Sequence, residues 1–260
     1  MKRPRPETIK FANKFVRIRN QIERKGVRIM RSAIASQYID FMNKAKNMTP
    51  QSWPDIAIHT ESIQQAFLKF YPMSSQLAVL QRGHLLSGKD AESDFYDNVF
   101  QGRLRDIVTA KAYSEKIKSI TGTTKKRIDS TIQDLLDQAS TEGWGIDKIQ
   151  QGLVQSFSNE IKGNVIARAR GIAQTEMISA SNQAAAMAAD STRLEYRKFW
   201  STSHLENTRD SHQQAEADSI QRGGLKKEEL HSNGLLYPGD PNGSAEEVIN
   251  CRCSELYEIV

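Results

Sequence analysis

The sequence contains no stretch approaching about 18 consecutive apolar residues, which leaves no candidate for a membrane-spanning helix. It has only two cysteines, Cys251 and Cys253, a single residue apart. A disulfide framework is thereby excluded, and a bridge between these two would be strained, because alternate strand residues sit near the limit of disulfide reach. Cysteine used so sparingly fits a reducing compartment. The basic opening MKRPRPETIKFANKF has neither an apolar core nor a small-residue cleavage site, so it is not read as a secretory signal. There is no P-loop, no G-x-G-x-x-G, no H-E-x-x-H and no nucleophile elbow, which removes the commonest nucleotide-binding, zinc-protease and serine-hydrolase readings.

What is present is a polar chain of 260 residues, 38% hydrophobic, with length for one large domain or two modest ones. Its net charge of +5 is unevenly distributed. The first 31 residues carry eleven basic side chains against Glu7 and Glu23, a local charge of +9, so the other 229 residues carry −4. Lys10, Lys14, Arg17, Arg19, Arg24, Lys25 and Arg28 are the candidates for contact with a nucleic acid or another polyanion. A solvated amphipathic helix accounts for the same residues without any ligand.

Periodicity makes most of the chain helical. Phe11, Phe15, Ile18 and Ile22 share one helical face, and Ile29, Ile34, Tyr38, Phe41 and Met42 continue an apolar pattern until Pro50 and Pro54. Two helices are expected over 55–90, split at Tyr71-Pro72, with Gly88 ending the second. A new unit is expected from about residue 91. Its first helix, over 92–118, carries Phe95, Val99, Leu104, Ile107, Val108 and Ala112, and Thr123 or Thr124 is expected to cap the next. Gly143-Trp144-Gly145 breaks that helix, a short one with Leu153 and Phe157 follows, and an Ala-rich helix over 160–190 is expected at the centre of the domain. EYRKFWS at 195–201 and CRCSELYEIV at the end alternate and are expected to pair as strands. The fold class is therefore α+β: a mostly helical N-terminal region, 1–90, and a helical domain, 91–260, with a small C-terminal antiparallel sheet.

Chemistry is harder to find. Arg168, Arg170, Thr175 and Glu176 lie in the Ala-rich helix, where an Arg and a Glu are costly unless satisfied, so a structural network is the favoured reading. His204, His212 and His231 with Cys251 and Cys253 invite a metal reading, because thiolates at i and i+2 of a strand share a face that a histidine can join. The spacing departs from the usual C-x₂₋₄-C, and two structural cysteines in a reduced core are the simpler account. His212, Cys251 and Cys253 remain the candidate zinc ligands, and no other cofactor is indicated. His212 and Asp240 are acid/base candidates with no patterned partner, so no catalytic residue is assigned. Tyr237 to Gly243, YPGDPNG, reads as a rigid double turn.

ARARGIAQTE at 167–176, then Trp200, then T-R-x-x-H at Thr208–His212, then YPGDPNGSAEEVINCRC at 237–253, taken in that order and with those gaps, resemble the phage Mu F-like minor head protein (head morphogenesis) family. The resemblance covers roughly residues 100–260, and the PGDP…NCRC ending is its most specific part. It implies a minor capsid protein of a tailed phage or prophage, assembled in the bacterial cytoplasm and located in the virion head. The implied partners are the portal protein and capsid or scaffold proteins, with no membrane; double-stranded DNA as a partner of the basic end rests on the charge of the first 31 residues. The implied function is head assembly and DNA packaging or delivery, without enzymatic activity. The motif residues carried over are Arg168, Arg170, Thr175, Glu176, Trp200, Arg209, His212, Pro238, Gly239, Asp240, Asn250, Cys251, Arg252 and Cys253, in a chiefly architectural role. Only Glu206 stands where the family often has an acidic residue before T-R-x-x-H. A zinc-dependent enzyme, or a toxin-like one related to ADP-ribosyltransferases, is the alternative, although the set of residues a transferase needs is not evident beside Ser201-Thr202-Ser203.

Overall fold

The computed structural model describes residues 3–87 and 93–260. Gly88 and the expected boundary at 90–91 lie outside the described residues. By contact, the chain forms two compact units, each assembled from separate segments: Met1–Gly26, Phe70–Ile107 and Ala173–Val260 make the first, and Val27–Lys69 with Val108–Ile172 the second.

The chain opens with a 40-residue helix, α1 (Pro6–Ala45), with Glu7 in its first turn and Lys44 in its last, both favourable to the helix dipole. Pro6 stands at its first position, where a missing N–H costs nothing. The two apolar patterns read from the sequence are thus one continuous element. Its single glycine, Gly26, is required by packing: a Cβ there would fall 2.0 Å from the Phe70 ring.

In the second unit, Pro50–Asp55 form a 3₁₀ turn whose Trp53 is fully buried and donates its indole N–H to Ala45 O at 3.1 Å. α2 (Glu61–Phe70) follows, and α5 (Lys111–Glu142) is the long element. The sequence expectation of a break before Thr123 is corrected here. The helix starts after Ala110, and both threonine hydroxyls turn back to carbonyls one turn earlier, Thr123 to Ser119 and Thr124 to Ile120, which lets them sit inside a helix rather than cap one. Gly143 then ends α5 in the left-handed region (φ 65°), as the Gly-Trp-Gly run predicts. α6 (Ile146–Lys162) buries Leu153 and Phe157, and the Phe157 ring meets Tyr38 and Phe41 edge-on at 5.3 and 5.5 Å. Arg168 donates to Thr124 Oγ1 at 2.8 Å and to Ile120 O.

The first unit holds α3 (Ser75–Leu85), reached from α2 through a 3₁₀ turn at Tyr71–Ser74, and most of α4 (Ser93–Thr109). Phe95, expected in the α4 stripe, is exposed; Leu104, also expected there, is buried together with Phe100 against Ala78, Ala184 and Ala188. The last two belong to α7 (Asn164–Ser191), which Gly163 separates from α6. From Ala173 onward α7 is buried almost throughout, its alanines admitting close neighbours on every side, as expected of the Ala-rich helix.

Beyond α7 the chain forms a two-stranded antiparallel sheet of β1 (Tyr196–Ser201) and β2 (Ser254–Ile259), in register from Tyr196 opposite Ile259 to Ser201 opposite Ser254. The pairing of the two alternating segments is borne out, and the fold class is α+β as the sequence indicates. Between the strands lie α8 (Asp210–Gln221) and the single turn α9 (Ala245–Val248). No helix among the described residues is long and apolar enough to cross a membrane.

Candidate functional site

The densest polar chemistry of the first unit surrounds the N-C-R-C segment where the chain enters β2. Asn250 takes a left-handed conformation (φ 57°), which asparagine tolerates better than most residues. Its backbone N–H donates to Thr175 Oγ1 at 3.0 Å, and its carbonyl accepts from Gln174 Nε2 at 3.3 Å. Arg252 donates to Gln174 Oε1 at 2.6 Å, and Arg209, just before α8, donates to Ile249 O at 2.6 Å. The turn ahead of the two cysteines is therefore tied to α7 on one side and to α8 on the other.

Behind the segment stands Arg19 of α1. It is buried, and its guanidinium donates to Ser254 Oγ (2.8 Å), Arg252 O (3.2 Å) and Cys253 O (3.3 Å). Burial lowers its pKa to about 10, so it stays charged at neutral pH. The assignment of Arg19 to a nucleic-acid face is corrected: it is spent inside the fold, whereas Lys10, Lys14, Arg17, Arg24, Lys25 and Arg28 are exposed.

Asn182 completes the scaffold. Fully buried in α7, it donates to Pro238 O (2.9 Å) and Cys253 O (3.3 Å) and accepts from the Glu255 N–H (3.0 Å). One amide thus holds β2 and the P-G-D turn to the same helix. In that turn Gly239 has φ +77°, and Asp240 accepts from the N–H groups of Leu236 (3.1 Å) and Asn242 (2.9 Å). These are local turn contacts, not those of an acid/base residue facing a cleft.

At the centre, His212, Cys251 and Cys253 converge although 39 residues separate the histidine from the first cysteine. His212 Nδ1 lies 3.4 Å from Cys253 Sγ and 3.9 Å from Cys251 Sγ. Its other ring nitrogen, Nε2, is 2.9 Å from Glu247 Oε2, and the Ser211 hydroxyl donates to the same carboxylate. In the neutral ring with Nε2–H donated to Glu247, Nδ1 offers a lone pair to the sulfurs; in the protonated ring Nδ1–H points at them instead. The Cys253 thiol favours the Cys251 thiolate by hydrogen bonding, with His212 adding to this against the opposing effect of burial, so Cys251 is held below the usual thiol range. Cys253 is pushed up by that same bond and by burial. Burial lowers His212, but its contacts with Cys251 and Glu247 outweigh this and raise it on balance. The three residues border a polar pocket of about 300 Å³, to which Gln174, Asn207, Thr208 and Arg209 also contribute.

The other sequence candidates fall elsewhere. His231 pairs with Glu255 at 2.9 Å in full burial, and the buried Trp200 ring stands edge-on to both His231 and His212, at 5.0 and 5.1 Å. His204 is exposed beside Thr202 and Glu216, and Glu206 is exposed. Of the helix residues, Glu176 accepts from the Tyr71 hydroxyl at 2.6 Å, Arg168 is satisfied by α5, and Arg170 is exposed. Glu176 and Arg168 thus each have a hydrogen-bond partner on another segment. Sequence reasoning misplaced Arg19 and missed Gln174, Asn182, Glu247 and Glu255. Arg19 alone carried a signal, because it stands four residues after Phe15 and three before Ile22, inside the apolar stripe.

Residues 130–256 match the family model described as Phage Mu protein F like protein, a family of phage head morphogenesis proteins. The matched segment starts in the middle of α5 rather than near residue 100, and it includes every motif residue from Arg168 to Cys253. No curated protein and no solved structure matches the chain.

Proposed function

From a phage Mu protein F like segment over residues 130–256, we propose that this chain is a minor head protein of a tailed phage or prophage. In this reading it joins the head with the portal protein, alongside capsid or scaffold proteins, and assists packaging or delivery of the genome. The observation that carries the reading is the family match. The geometry agrees with it, since the motif residues from Thr175 to Cys253 are spent mainly on holding α7, α8, the P-G-D turn and β2 together. Quantitative mass spectrometry of procapsids made with and without portal protein tests it. Portal-dependent incorporation is expected, and absence of the chain from both procapsids and mature heads would overturn the proposal.

Non-specific contact with DNA is the second part of the reading. Lys10, Lys14, Arg17, Gln21, Arg24 and Arg28 follow one another at alternating spacings of four and three on α1, and all are exposed. That spacing lines them along one helical face, with Lys25 beside it and Arg19 on the opposite, buried side. Five such cations reaching phosphates would make binding steeply salt-dependent. Deleting the basic segment would also take Phe15, Arg19 and Ile22 out of the core, so the charge is removed by substitution. Replacing Lys10, Lys14, Arg17 and Arg24 together by Gln keeps the helix, and each lost phosphate contact is expected to lower the slope of log K against log salt by about 0.9. An unchanged slope in the folded quadruple variant would remove DNA from the proposal.

A further inference from the structure

We propose that His212 Nδ1, Cys251 Sγ and Cys253 Sγ form a zinc site whose fourth coordination position opens into the polar pocket beside Arg209. The three ligand atoms lie within 4.8 Å of one another, and all three side chains are buried. With Zn–S of about 2.3 Å and Zn–N of about 2.0–2.1 Å, tetrahedral geometry sets N···S near 3.5 Å and S···S near 3.8 Å. The observed N···S distances of 3.4 and 3.9 Å bracket the first of these values. The three ligand atoms are thus already spaced close to what a tetrahedral ion requires.

The surroundings supply what a ligand histidine requires. A metal-bound imidazole commonly donates its other N–H to a carboxylate, which fixes the ring and the tautomer, and Glu247 stands 2.9 Å from His212 Nε2 in that position. Glu247 is itself held by the Ser211 hydroxyl. The main chain on both sides of the cysteines is fastened by Arg19, Gln174, Thr175 and Asn182, so the sulfurs are held in place before any ion arrives. Two thiolates and one imidazole are a soft donor set, which selects Zn²⁺ over Mg²⁺ or Ca²⁺. Two thiolates also cancel the charge of the ion, as a buried site demands. The same three side chains border the pocket, so the remaining position is open to water or to a ligand entering there.

The site can be tested on the full purified chain, independently of any phage particle. Protein prepared without chelator is expected to hold about one zinc per chain by elemental mass spectrometry. Replacing the metal with Co²⁺ is expected to give thiolate-to-metal charge transfer together with the visible bands of tetrahedral cobalt. Cys253→Ala should abolish both readouts. Because Cys253 is also a core residue, Glu247→Gln supplies a variant that leaves every ligand in place; its zinc affinity is expected to fall about 10–100-fold, measured by chelator competition, with circular dichroism unchanged. Folded wild-type protein that neither contains zinc nor gives a cobalt charge-transfer band would overturn the proposal, as would a band that survives loss of Cys253.

Discussion

Replacing Arg19 by Met is expected to lower the melting temperature of the first unit by roughly 5–15 °C, whereas Arg17→Met should leave it indistinguishable from the parent. The two arginines are neighbours in sequence, and both belong to the basic segment that gives the first 31 residues their charge. Arg17 is exposed. Arg19 is buried and donates to two carbonyls and a hydroxyl at the start of β2. Methionine preserves most of the apolar stem, so the change removes the guanidinium and leaves the Cys253 carbonyl and the Ser254 hydroxyl without that donor inside the protein. Loss of charged hydrogen bonds to buried acceptors costs about 2–5 kcal/mol in such settings. Calorimetry of both variants measures the difference. Equal melting temperatures would show that the guanidinium is not holding the strand. The same pair separates two kinds of basic residue: salt-dependent DNA retention should fall in the Arg17 variant and not be specifically affected in the Arg19 variant.

A second large effect is expected at Gly239, in the P-G-D turn. Its φ of +77° disfavours any residue with a Cβ, and a Cβ built there would lie 3.0 Å from both the backbone N and the Cα of Ser179. Backbone in the middle of α7 cannot step aside as a flexible side chain can. Gly239→Ala therefore combines the left-handed penalty of about 1–2 kcal/mol with an overpacking cost of about 1–3 kcal/mol. Gly234 provides the control, with φ +78° and nothing within 4 Å of the point where an alanine methyl would stand. Gly234→Ala should thus cost the first contribution alone. The urea midpoints of the two variants give the difference directly, and equal midpoints would mean that α7 does not hold the turn through this close approach.

The sequence made some of this legible for identifiable reasons. Helices announced themselves by period, strands by alternation, and the end of α5 by glycine, because each of those signals is local. The Tyr237–Gly243 turn was legible for the same reason. Thr123 and Thr124 misled because a threonine hydroxyl can cap a helix or bond back within one, and the choice is made by what packs against it; here Arg168 donates to Thr124 from another segment. The candidate site was half legible. The two cysteines and His212 could be named from residue type, but Glu247 stands 35 positions from its histidine in a four-residue helix with no periodic signature. Asn182 and Gln174 were hidden among the small residues of α7, where nothing in the local pattern distinguishes an amide that binds three segments from one that faces solvent.

The long reach of Arg19 has a consequence for the birth of the protein. The hydrogen bond from Arg19 to Cys253 joins residues 234 positions apart. Its donor leaves the ribosome well before its acceptors, which follow only after the intervening chain has been translated. At about 5–20 residues per second, the buried arginine therefore waits roughly 12–50 s for its partners. Arg5 waits longer still for Glu258 and the Ile259 carbonyl. For that interval the apolar face of α1 around Phe15 and Ile22 is without β2, and the first unit can close only after synthesis has passed the two cysteines. A ribosome stalled between the end of α1 and the two cysteines would hold a nascent chain in which α1 is complete but Arg19 lacks its acceptors.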